Sequence, residues 1–221
     1  MITLYSQILE AAIFPNSQSG LVLVPRAEPL PVERRKELGE FIVPHGLFPK
    51  QIDIREISNG EDFLGDLEGA LATQTYNRLF ILPPFISFRY LSDKLRTQYH
   101  QMNLDEIAIH LTISKLPTGS QVGFLAPSNI LIDMRSQKSR AQILKDAHLQ
   151  CVITHDFPPN QLGFTNIHDG FKFVTFFFKV GPAESPIVRF FKFPYVTRSP
   201  YYCATIMPVH RSVFMKPLVL V

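Results

Sequence analysis

Three groups of residues in this 221-residue chain have types that do chemistry. The first is Leu82-Pro83-Pro84-Phe85, which closes the run Asn77-Arg78-Leu79-Phe80-Ile81. Two successive prolines stiffen a turn, so the groups flanking them are held in one place. Read more plainly, this is a strand end with a core aromatic, because prolines punctuate elements. The second group lies in residues 188–198, where Arg189, Lys192 and Arg198 interleave with phenylalanines and Tyr195. Cations for phosphates and ring faces for bases use that mix. Its plainer reading is an edge strand with phenylalanines inward and cations in water, which guards the edge against mispairing. The third group is His155-Asp156 and His168-Asp169. Neither these pairs nor Cys151 and Cys203 have metal-ligand spacing, so no metal is expected. Cys151 sits in an apolar run, the setting of a buried, inert thiol.

The composition bounds what these residues can belong to. Hydrophobic residues make up 46% and charged residues 19% of the chain, a globular balance that excludes a disordered one. The length fits one large domain. A domain of that size buries roughly 70% of its unfolded surface and folds without a metal or disulfide. A net charge of +3 is compatible with a polyanionic partner and does not demand one. Arg34, Arg35 and Lys36 read as a solvated helix face. Only two cysteines are present, and Met1 to Pro15 shows neither a basic n-region nor a small-residue cleavage site, so a reducing cytoplasm is the expected compartment. The apolar run at 174–180 falls short of the ~18 residues of a membrane span, so no membrane partner is expected.

The pattern along the chain supplies the elements that must position the chemistry. Helical spacing covers 2–14, 31–42, 63–73, 104–116 (capped by Asn103) and 136–147. Strand patterns cover 20–24, 51–57, 77–82, 121–126, 149–153, 172–179 and 187–193. Repeated alternation of strand and helix predicts an α/β fold: a mostly parallel sheet with helices on its faces. The last strands break the rhythm and predict antiparallel C-terminal edge strands, with 172–179 and 187–193 as a hairpin. The apolar end, Phe214 to Val221, is expected to pack back on the domain or dock on a partner.

Asn77 to Phe85 resembles the catalytic segment of amino-group methyltransferases, in which an apolar strand runs into Asp/Asn/Ser-Pro-Pro-Tyr/Phe. There the polar residue holds the target amine and the aromatic stacks on a flipped base. Downstream, Leu116 to Ser128 is similar to the family's next strand, Ser139 to Leu144 to its following helix, and 152–158 and 174–179 to its last two strands. The likeness is to the catalytic domain of type I restriction-modification methylases and related adenine-N6 DNA methyltransferases. It spans 77–180, roughly half of the chain.

The resemblance implies a Rossmann-like methyltransferase fold over 1–221, with 185–221 as a C-terminal β extension or edge. It also implies lost chemistry. The catalytic motif is degenerate: Pro83, Pro84 and Phe85 match, but the polar position is Leu82, which accepts no hydrogen bond. Losing one transition-state hydrogen bond costs about 3 kcal/mol. The cofactor positions Val24, Glu28 and Asp62 are degenerate too. Where the family has a glycine-rich turn, 22–30 has no glycine and two prolines. Asn59-Gly60-Glu61-Asp62-Phe63 resembles the family's Gly-Asp-Phe turn with Glu61 inserted. The expectation is therefore a binding or assembly module without a cofactor, with DNA or a protein subunit as partner. Candidate nucleic-acid contacts are Arg189, Lys192, Tyr195 and Arg198. The alternatives are an active, divergent enzyme using S-adenosylmethionine, with Ser87 or Asn77 as the polar group, and a structural interaction protein.

Overall fold

The apolar runs ended by proline or glycine are strands of one eight-stranded sheet in the computed structural model. It describes residues 20–25, 52–58, 60–73, 78–155, 172–193 and 205–215. The helices expected at 2–14 and 31–42 lie outside the described residues. The strands are β1 (Gly20–Pro25), β2 (Ile52–Ile57), β3 (Arg78–Ile81), β4 (Gln121–Pro127), β5 (Ala147–His155), β6 (Phe173–Val180), β7 (Ile187–Phe193) and β8 (Thr205–His210). Their order is β2-β1-β3-β4-β6-β5-β7-β8. β1 to β5 and β7 run one way, while β6 and β8 oppose them. The fold is the mostly parallel α/β sheet the sequence predicts, with an antiparallel C-terminal edge.

One expectation is corrected. β6 and β7 do not form a hairpin: β7 lies parallel to β5, pairing Cys151 with Arg189 and Ile153 with Phe191. The backbone between them is used otherwise. Gly181, at φ +123, donates its N–H to the Asp146 carbonyl at 2.9 Å. Glu184 N–H donates to His148 Nδ1 at 2.9 Å. The connection thus crosses the start of β5, and burial there pushes the His148 imidazole below its ordinary value. β7 is not an edge either, because β8 flanks it.

The described helices are α1 (Asp62–Ala72), α2 (Asp93–Tyr99), α3 (Leu104–Lys115), the short α4 (Asn129–Ile132) and α5 (Gln137–Asp146). Phe63, Leu64, Leu67, Ala70 and Leu71 form the buried stripe of α1, the spacing of an amphipathic helix. α3 departs from its expected stripe, burying Asp105, Glu106, Ile109, Thr112 and Ile113 as well. It lies between α1 and α5, so little of its circumference meets water. Glu106 is satisfied there, accepting from Asn103 N–H at 2.8 Å and Ser139 Oγ at 2.9 Å. The sequence pattern missed α2, α4, β8 and the 3₁₀ turns Phe88–Tyr90 and Arg211–Met215, all short. Phe214 in the last of these is buried, and its carbonyl accepts from buried Arg140 Nε at 3.0 Å. At that residue the C-terminal segment packs back on the domain.

Leu79, Ile81, Val122, Phe124, Phe176 and Phe178 share the helix-covered core. The opposite face is buried as well, by Phe80, Leu125, Ile153, Phe173 and Phe177. Gly123 pairs with Phe80 on one side and Phe177 on the other. A Cβ at 123 would stand 2.4 Å from Phe80 Cδ2 and 3.0 Å from Phe177 Cε1. The two rings, 6.0 Å apart, occupy the side-chain place that glycine leaves vacant. Gly123→Ala should therefore lower stability by about 1–3 kcal/mol in thermal unfolding. Adding Phe80→Leu should recover part of that loss, since the clash is pairwise.

Asp105 gives a second expectation. It is 2% exposed, and its Oδ2 has no hydrogen-bond partner among the described residues. Burial, then the Glu106 charge, raises its pKa from 3.8 to about 8, against opposing hydrogen bonds from its own and the Glu106 backbone N–H. The native carboxyl thus keeps a proton that the unfolded chain releases, so its contribution to stability is full below 3.8 and lost as pH rises through about 8. Asp105→Asn should flatten the pH–stability profile across that window. At the alkaline end it should raise stability by about 1–3 kcal/mol, measured by denaturant unfolding.

Candidate functional site

β1, β2, β3, β4 and β5 end at one edge of the sheet, at Pro25, Ile57, Ile81, Pro127 and His155. Between β1 and β3 the strand order reverses, with β2 on the other side of β1. Open α/β sheets hold ligands in the crevice beyond the carboxyl ends at such a reversal. The residues that follow β1, β2 and β3 are therefore the ones placed to act.

Leu82 follows β3 directly and is 2% exposed. Pro83 and Pro84 are also buried, and Phe85 is half-buried. The Phe85 ring lies 5.0 Å from that of Phe173, which pairs with Pro127 of β4 and His155 of β5. The proline turn is thus folded over the carboxyl ends of the neighbouring strands. Beyond it, Ile86 carbonyl accepts from Leu104 N–H at 3.0 Å, and Phe88 N–H donates to Asn103 Oδ1 at 3.1 Å. These bonds anchor the loop to the start of α3.

Val24 sits one residue before the end of β1, paired with Glu56 of β2. The last pair between β1 and β3 is Leu23 with Ile81, so Val24 and Leu82 follow at the same level. After β2 the chain turns at Gly60, with φ +73. Glu61 Oε1 accepts from Ser92 N–H, tying that turn to the loop after β3. Asp62 is the exposed first residue of α1. The structure thus brings together residues 24, 60–62 and 82–92. Glu61, an insertion in the sequence motif, is the tie, and nothing in the sequence marks it for that task.

Of the basic-aromatic group, only part falls among the described residues. Arg189 is half-buried in β7, and Lys192 belongs to the same strand. Glu28, Tyr195, Arg198, Asp156, His168 and Asp169 lie outside the described residues. Among the described residues, no three His, Cys, Asp or Glu side chains are grouped to hold a metal. Cys151 is fully buried, and burial pushes its thiol up, away from the reactive thiolate. No helix among the described residues is long and apolar enough to cross a membrane.

Chemically, the edge offers shape more than reactive groups. Leu82 has no atom that accepts or donates a hydrogen bond, and prolines have no N–H. The turn at Gly60 is open, with no atom within 4 Å of where a side chain there would begin. An amine acceptor is missing at 82. The nearest hydroxyl in sequence, Ser87, starts the Phe88–Tyr90 turn, and its carbonyl accepts from Tyr90 N–H at 2.9 Å.

This topology, with an antiparallel strand inserted beside parallel ones, is the Rossmann-like fold of class I S-adenosylmethionine-dependent methyltransferases. Among similar solved structures is the type IIG restriction endonuclease BpuSI, at 10% identity and TM-score 0.60, covering 96% of this chain and 30% of its own. A second, from Listeria monocytogenes, is described as a class I S-adenosylmethionine-dependent methyltransferase; it matches at 13% identity and TM-score 0.54, covering 89% and 65%. A third is the methyltransferase subunit of a type I restriction-modification system from Streptococcus thermophilus, at 10% identity and TM-score 0.50, covering 97% and 49%. This chain thus spans between 30% and 65% of the length of those proteins. No protein-family model and no curated sequence matches it.

The tie between the two turns has a direct readout. Glu61→Ala should speed hydrogen exchange at the Ser92 amide and along 85–92. The melting temperature should change little, because that bond is exposed.

Proposed function

We propose that this chain is a methyltransferase-like module, related to the adenine-N6 DNA methyltransferases, that has lost methyl transfer. It acts by binding, as part of a DNA modification or restriction assembly, and uses no cofactor. The observation that carries the reading is Leu82, an aliphatic side chain 2% exposed where an amine acceptor is required. The packing of Phe85 on Phe173 supports it, because a ring engaged by β6 is not free to stack on a flipped base. The fold neighbours include proteins whose names place them in restriction and modification of DNA, which fits the assembly role.

A second reading, an active and divergent enzyme, draws on Gly60, whose left-handed turn leaves room for a close ligand. Titration calorimetry of the full chain with S-adenosylmethionine, alongside transfer of labelled methyl to DNA, separates the two. The expected result is neither heat nor transfer, in the wild type and in Leu82→Asn alike. Micromolar cofactor affinity would overturn the first reading. Transfer that disappears in Ser87→Ala would select the second.

A further inference from the structure

The end of α2 and the residues that lead into α5 line an open groove of about 810 Å³. That volume is within the range of small-molecule pockets. Arg96, His100 and Gln101 line it from the end of α2, and Arg135, Gln137 and Lys138 from the start of α5. The lining is basic, and two of its arginines are already held in place. Arg96 pairs with Asp93. Arg135 holds Asp133 through Nε at 3.1 Å and a terminal nitrogen at 2.6 Å, and its guanidinium lies 5.8 Å from the centre of the Phe88 ring. Both contacts hold Arg135 in one pose before any ligand arrives. Lys138 has no carboxylate partner among the described residues, so the lining keeps a surplus positive charge. The amino end of α5 adds the positive end of its dipole to the same wall.

His100 and Gln101 both have positive φ, at 42° and 68°, a backbone that non-glycine residues seldom adopt. That reversal is what turns residues 100 and 101 toward the start of α5. Two residues from Phe88 stands Tyr90, 82% exposed, the most exposed large hydrophobic among the described residues. Tyr90 shares a 3₁₀ turn with Phe88, whose ring meets Arg135 of the lining, and an exposed ring one turn from a basic groove suits the pairing of stacking platform and phosphate contact used for single strands.

We infer that this groove binds a backbone phosphate of a single nucleic-acid strand, with Tyr90 stacking on an adjacent base. The assignment rests on the binding role in a DNA assembly proposed above and gives it a contact surface with named residues. It places a contact at the carboxyl edge of the sheet, and it requires no methyl transfer.

Fluorescence anisotropy of the full chain with a labelled single-stranded oligothymidine, at several salt concentrations, tests it. Lys138, His100 and Tyr90 are exposed, so their variants should keep the wild-type melting temperature. Lys138→Glu and His100→Ala/Lys138→Ala should weaken binding by about tenfold and lower the salt slope by about 0.7 for the lost lysine contact. Tyr90→Ala should weaken it by about tenfold with the salt slope unchanged. If the wild type binds and all three variants bind as well, the pocket assignment falls and the nucleic-acid contact stands. If the wild type binds no strand at all, both fall. Displacement of the strand by polyglutamate at equal charge, with no loss in Tyr90→Ala, would overturn the nucleic-acid identity of the ligand.

Discussion

The insertion of β6 between β4 and β5 is the constraint on which the rest of the structure depends. Phe173, Val174, Phe176, Phe177 and Phe178 are each at most 2% exposed, so this strand fills both faces of the sheet at once. Phe176 and Phe178 enter the helix-covered core. Phe177 takes the place left by Gly123, and Phe173 holds Phe85. A strand buried on both faces is fixed in register, because a shift of one residue would exchange its two sets of side chains. That register sets where β4 and β5 end, and with them the edge at which the candidate site lies.

The edge has the architecture of a ligand crevice, and the residues of the turn after β3 pack structurally there. Leu82 is core, the two prolines are core, and Phe85 is an aromatic contact of β6. The polar groups that remain nearby are used to hold loops. Glu61 binds the loop after β3, Asn103 binds Phe88 N–H, and Glu106 joins α3 to α5 through Ser139. Each of these bonds costs the chain a potential chemical group and supplies rigidity in return. Among the described residues, an open basic groove lies beyond the end of α2.

Much of the fold was legible because buried strands leave a simple trace. Runs such as Leu79-Phe80-Ile81 and Val174 to Phe178 are too apolar to face water and too short for helices, and prolines mark their ends. The helix at Asn103 was legible from its cap and its spacing. Pairing was harder. The stretch at Pro182 to Pro186 has the look of a hairpin turn, and only the Glu184–His148 and Gly181–Asp146 bonds reveal that it crosses another strand. α2 escaped because seven residues give too few turns for a period to register. At the site, the proline turn and the aliphatic Leu82 before it could be read directly. The basic groove could not, since Arg96 and Lys138 are brought together only by tertiary folding and a pair of left-handed residues.

The crossing between β6 and β7 fixes an order of assembly on the ribosome. β4 and β5 emerge before the strand that separates them, and they never pair with each other. A nascent chain that has not yet reached Val180 therefore carries a four-stranded fragment with a bare edge at β4, and an unpaired β5. Such edges are templates for mispairing. The seam closes only when the phenylalanine strand arrives, and β7 can then dock along the far side of β5.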